Sequence, residues 1–169
     1  MRNPVRRRIY IGVIGSAEAD PEVLELAREV GQEIARRGAV LVCGGRGGVM
    51  EAAARGAREA GGTAVGILPG TSRSEGNPYL TVSVVTGMGE ARNAIVVRSS
   101  DAVIAVAGGC GTLSEIGLAL KMGVPVVGLR TWQLGSPCTG QDPIIRAASP
   151  AEAVALAFRS LGFRPAPAP

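Results

Sequence analysis

The chain has 169 residues, 46% of them hydrophobic, which suits one domain with its own core, and no apolar run reaches the roughly eighteen residues of a membrane helix. The net charge of +4 owes much to Arg2, Arg6, Arg7 and Arg8, so residues 1–8 read as a solvated basic arm on a nearly balanced body. Only 3% of residues are aromatic and none is histidine, which argues against a base-stacking nucleic-acid platform and removes the commonest general base and metal ligand.

In chain order, the apolar run Ile9–Gly15 comes first. With the basic arm before it, this run imitates a secretory signal, but it is short and reads better as a first strand. Pro21–Arg37 follows with helical spacing, Val23, Leu26, Ala27, Val30 and Ile34 on one face, Asp20 placed to cap it and Gly38 to end it. A second strand is predicted over Ala39–Cys43, and a second helix around Met50, Ala53, Ala54 and Ala57 before Gly61 and Gly62. Strands are predicted at Thr63–Leu68 and Thr81–Val85, then a helix from about Glu90 to Ser100 and a strand at Ala102–Ala107. A helix over Thr112–Met122, a strand over Val124–Leu129 and a helix over Pro150–Leu161 with a Ser149 cap complete residues 9–162.

Most of these strands are continuously apolar, as strands buried on both faces are. Alternating with helices, they predict a single-domain α/β fold, a Rossmann-like doubly wound, mostly parallel sheet with helices on both faces. Residues 163–169, Pro/Ala-rich, read as a disordered or polyproline tail. Cys43, Cys110 and Cys138 lack CxxC spacing; they suggest neither a disulfide framework nor a zinc cage and fit a reducing cytoplasm. No metal or cofactor enters this reading.

Ligands of such folds bind outside the carboxyl ends of the strands. That rule selects Gly15 and Ser16, the loop Gly44, Gly45, Arg46, Gly47 and Gly48, the segment 69–77, the segment 87–92, and the loop Gly108, Gly109, Cys110, Gly111 and Thr112. Glycines admit an anion close to the backbone, and the unpaired N–H groups of a helix's first turn point at it. One terminus contributes about 0.3 to 2 kcal/mol, whereas micromolar binding needs about 8 kcal/mol, so several loops must converge. Neither cluster is a Walker loop, and Gly12 and Gly15 do not make a dinucleotide fingerprint.

Individual residues carry alternatives. Thr112 and Glu115 form either a phosphate ligand with a titratable neighbour or a Thr-x-x-Glu capping box. Arg92 would clamp a phosphate or sugar oxygen from the rim, while Arg46 is a ligand contact or a solvated loop tip. Glu90 suits the helix dipole better than a second catalytic carboxylate, Cys110 a packed position better than a nucleophile's, and Asp101 a structural cap or pair.

Three segments together, Gly44-Gly-Arg-Gly-Gly-Val-Met50, Gly87-Met-Gly-Glu-Ala-Arg-Asn93 and Gly108-Gly-Cys-Gly-Thr-Leu-Ser-Glu115, resemble the motifs of the LONELY GUY superfamily, over about residues 8 to 162. That superfamily includes cytokinin-activating phosphoribohydrolases and molybdenum cofactor carriers. The resemblance implies that Arg92 and Glu115 are catalytic and that the glycine loops, Met88 and Thr112 hold a nucleoside 5′-monophosphate, whose base is cut from ribose 5-phosphate by water. It also implies a homodimer or larger oligomer. The chain departs from the family pattern at Ala107 (for Pro), Cys110 (for an aromatic), Ser114 (for Glu) and Asn93 (for Lys), and residues 118–127 are more like the carrier branch. The trial substrate is AMP or an N6-modified AMP; the competing expectation is a carrier of a phosphorylated cofactor such as molybdenum cofactor.

Overall fold

The computed structural model describes residues 8–136 and 139–162; the arm as far as Arg7, the tail and Cys138 lie outside them. Seven strands, β1 (Tyr10–Gly15), β2 (Val40–Cys43), β3 (Thr63–Leu68), β4 (Val82–Val85), β5 (Ala102–Val106), β6 (Val126–Leu129) and β7 (Ile145–Ala147), form one sheet in the order β4-β3-β2-β1-β5-β6-β7. Every pairing is parallel. The helices are α1 (Pro21–Arg36), α2 (Val49–Glu59), α3 (Asn93–Arg98), α4 (Cys110–Lys121) and α5 (Pro150–Ser160).

Because side chains alternate across a strand, the continuous apolar runs supply two cores at once. Ile11 and Val13 of β1 and Leu41 and Cys43 of β2 pack with α1, α2 and α5, whereas Ile14, Val42 and Val103 pack with α3 and α4. The doubly wound architecture is therefore as the sequence predicts. Two glycines let α1 and α2 close on each other, since a Cβ at Gly56 would stand 1.8 Å from the Arg28 carbonyl oxygen and one at Gly31 would stand 2.0 Å from that of Ala53. Among the described residues no helix is long and apolar enough to cross a membrane.

Three elements differ from expectation. The helix predicted over residues 90–100 is a 3-10 turn, Gly89–Arg92, followed by the short α3. β4 is an edge strand with Val82 and Val84 exposed, so its apolar run does not signal burial on both faces. β7 is absent from the sequence reading: Ile-Arg-Ala is three residues with a charge at its centre, and its partner on β6 rather than its own pattern makes it a strand. At the caps, Ser149 accepts from the Glu152 N–H as expected, whereas Asp20 takes the N-cap position without a side-chain bond.

The strand order reverses direction between β1 and β5. The connections from β1 run through β2, β3 and β4 to one edge, and those from β5 through β6 and β7 to the other. The two loops that leave β1 and β5 at their carboxyl ends must part there, which opens a crevice.

Candidate functional site

A cleft of about 530 Å³ occupies that crevice, a size suited to a small-molecule ligand. Gly15, Ser16, Arg46, Arg92, Gly109, Gly111, Thr112 and Glu115 line it, together with Ala17, Met50, Pro69, Gly89, Glu90 and Asn93. The β1 and β5 loops are tied to each other, because the Gly109 N–H donates to Ser16 Oγ at 3.1 Å. The β2 loop joins them where the Val49 N–H donates to the Ser16 carbonyl at 3.0 Å.

The other glycines named from the sequence serve beneath the lining rather than in it. Gly44 accepts from Arg92 Nη2 through its carbonyl at 3.1 Å, and a Cβ there would stand 2.6 Å from that nitrogen. Gly45 backs onto Leu68 and Leu80, and Gly48, with φ 64, lets its chain press against Ser16 and Ala17. Gly47 leaves room around it, with the Ala17 carbonyl its first neighbour at 3.6 Å. Gly108, with φ 107, is the only residue type that fits, since a Cβ would meet Thr112 Oγ1 at 2.3 Å. Met88 is 49% exposed on the Gly87–Gly89 turn, outside the cleft lining.

The capping box expected as one reading of Thr112 and Glu115 does not form. α4 begins two residues before Thr112, at Cys110, with Gly109 as N-cap and no side-chain cap bond. With that start, Thr112 takes the third helical position and Glu115 the second turn. Both are buried, Thr112 at 2% exposure and Glu115 at 7%. Thr112 Oγ1 has no hydrogen-bond partner among the described residues.

Cys110 is also corrected: it is free and exposed, because the first residue of α4 projects from the loop instead of packing. Cys43 is the packed cysteine, its thiol pushed up to about 11 by burial. Asp101 pairs structurally, accepting from the Tyr10 N–H at 2.9 Å.

Arg92 stands at the junction of the 3-10 turn and α3, 7% exposed. Its guanidinium donates to Gly44 and to the Asn93 side-chain oxygen, and Nε is left without a partner among the described residues. Burial pushes its pKa down, and the Glu115 charge is the main opposing influence. In turn, burial raises the Glu115 carboxyl to about 7 against the pull of Arg92, so the group changes charge near neutrality. A buried cation, a carboxyl poised to titrate, an orphaned hydroxyl and an uncapped helix N-terminus thus meet at one cleft. Together they can bind an anion and exchange a proton beside it.

The loop after β6 is not among the segments that the sequence singles out. Trp132 Nε1 donates to the Gly109 carbonyl at 3.1 Å and Thr131 Oγ1 to the Ala107 carbonyl at 2.5 Å. The signal available was position: both residues follow the carboxyl end of a strand next to β5.

A family model described as the SLOG cluster4 family matches residues 8–154. A cytokinin riboside 5′-monophosphate phosphoribohydrolase of Mycobacterium tuberculosis is 38% identical over 137 residues, covering 70% of this chain and 73% of that protein. The molybdenum cofactor binding protein of Rippkaea orientalis superposes with a TM-score of 0.85 at 41% identity, covering 94% of this chain and 99% of its own. The molybdenum cofactor carrier protein of Chlamydomonas reinhardtii superposes with a TM-score of 0.81 at 38% identity, covering 93% and 100%.

Proposed function

Because the chain belongs to the SLOG cluster4 family, within the LONELY GUY superfamily, we propose that its cleft binds a nucleoside 5′-monophosphate and hydrolyses the bond between base and ribose 5-phosphate. One observation carries this reading: Glu115, buried and not engaged in helix capping, lines the same cleft as Arg92 beside the uncapped start of α4. The phosphate rests on the free N–H groups of that first turn, with the Thr112 and Ser16 hydroxyls as further ligands and the Arg92 charge behind them. The sugar then extends toward Glu115.

Hydrolysis needs a water activated against C1′ and stabilisation of an oxocarbenium-like sugar. Ionised Glu115 accepts a proton from the water and its negative charge faces the developing cation. The water oxygen forms its bond to C1′ as the C1′–N bond breaks, the departing base takes a proton from solvent, and Glu115 returns the water's proton to solvent. A carboxyl with a pKa of about 7 exchanges protons readily at neutral pH, which suits this part. AMP is the trial substrate. We infer a cytoplasmic homodimer or larger homo-oligomer, checked by light scattering, where a monomer would contradict it.

Purified protein incubated with AMP is expected to release adenine and ribose 5-phosphate in equal amounts, and Glu115→Gln to lose at least 100-fold in rate. Absence of release above the Glu115→Gln background, with AMP and with N6-modified AMP, would refute hydrolysis. A second reading, a carrier of a phosphorylated cofactor, is favoured by the near-complete coverage of two molybdenum cofactor proteins at 41% and 38% identity. It requires the same phosphate loops without turnover, and binding with no product release would support it.

A further inference from the structure

The β6 loop is fastened to the α4 N-terminus and the turn before it by directed hydrogen bonds. Among the described residues, two that are not glycine have positive φ, Ala107 at 48 and Arg130 at 55. They follow the adjacent ends of β5 and β6. Such backbone persists where its surroundings over-determine it, and it clusters at functional sites. Here the Ala107 N–H donates to the Leu129 carbonyl at 2.9 Å, Thr131 Oγ1 donates back to Ala107, and Trp132 Nε1 donates to Gly109.

The loop is held from behind as well. Arg146, the central residue of β7, donates through Nη1 to the Thr131 carbonyl at 3.3 Å and through Nη2 to the Trp132 carbonyl at 2.5 Å. Asp142 fixes Arg146 through Nε at 2.8 Å. An unbroken chain of bonds thus runs from the sheet edge through Arg146 and Trp132 to Gly109.

Gly109 is where that chain matters. It is the N-cap of α4 and lines the cleft, and it has no side chain with which to fix its own peptide planes. Its carbonyl receives the Leu113 N–H at 3.0 Å and the Trp132 indole N–H on the same oxygen, while its N–H is spent on Ser16. The direction of the first-turn N–H groups, and so the position of an anion on them, follows from these bonds.

We infer that Trp132 is a positioning residue for the anion site: its indole N–H orients the Gly109 peptide, and its ring, 37% exposed, senses occupation of the α4 N-terminus by a phosphorylated small molecule. This deepens the nucleotide reading above and rests on it. A lost N–H to the Gly109 carbonyl costs about tenfold in phosphate affinity, the order expected for one hydrogen bond.

Trp132 is the chain's single tryptophan, so intrinsic emission reports on it alone. Titration of the wild-type protein with inorganic phosphate and with AMP is expected to shift that emission saturably, with the half-point equal to the calorimetric Kd. Trp132→Phe, which keeps a ring and removes the donor, is expected to weaken both ligands about tenfold while its melting temperature stays within a few degrees of the wild type, as the loss of one hydrogen bond allows. If wild-type protein binds AMP calorimetrically while its emission stays constant and Trp132→Phe binds equally well, the inference fails and the nucleotide reading survives. If wild-type protein binds neither phosphate nor AMP, both fall. The emission titration needs no variant, so a failure of Trp132→Phe to fold leaves the test intact.

Discussion

Thr112 Oγ1 and Arg92 Nε are buried polar atoms without a partner among the described residues, and a fold retains such atoms at a cost of about 1 to 3 kcal/mol each. Thr112→Val keeps the shape and removes the orphaned hydroxyl. Chemical denaturation is expected to show it neutral or up to about 1 kcal/mol more stable, with phosphate binding weakened; lower stability with unchanged binding would make the hydroxyl structural. Glu115 gives a second residue-level prediction. Its folded pKa, about 7, lies above the ordinary 4.5, so below pH 4.5 the group is protonated in both states and contributes no pH dependence. Between pH 4.5 and 7 the folded protein keeps the proton that the unfolded chain releases, and stability falls as pH rises, by on the order of 3 kcal/mol in all. Urea unfolding of Glu115→Gln at pH 5 and pH 8 is expected to lack that decline, and an equal decline in the variant would move its source elsewhere.

At the scale of elements, the start of α4 decides what Thr112 and Glu115 do. The pair spelled a capping box, and the sequence could not exclude it because the motif depends on where the helix begins. The two glycines before Cys110 moved the start forward and released both side chains to the cleft. β7 was illegible for a related reason: three residues around an arginine carry no pattern, and only the free edge of β6 calls them into the sheet. The α1–α2 pair was easy to find by its apolar stripes, yet its separation is set by glycines that the stripes do not mark. Gly56→Ala puts a methyl group 1.8 Å from the Arg28 carbonyl oxygen, a contact with backbone that side-chain rotation cannot relieve. Thermal unfolding is expected to report a loss of at least about 1 to 3 kcal/mol, and an unchanged midpoint would mean the helices part freely.

For the whole molecule, the doubly wound topology was legible because six apolar runs alternate with amphipathic segments, and short right-handed crossovers leave few arrangements. The rule that ligands bind at the carboxyl ends of strands selected the right loops, and in the structure Gly15, Ser16, Arg92, Gly109, Gly111, Thr112 and Glu115 line one cleft, but the reversal of strand order between β1 and β5 was not legible. The division of labour among glycines did not follow, since a glycine that faces a ligand and one that admits a neighbouring guanidinium look alike in sequence. Anchoring of the ligand by its phosphate, with or without turnover, is the part of the proposal on which the rest depends. Calorimetric titration with AMP and with adenosine tests it most directly. AMP is expected to bind in the micromolar range and adenosine about 100-fold or more weakly, because adenosine lacks the anion proposed to rest on the α4 N-terminus beside Arg92. Equal affinity for the two, or no binding of AMP, would contradict it.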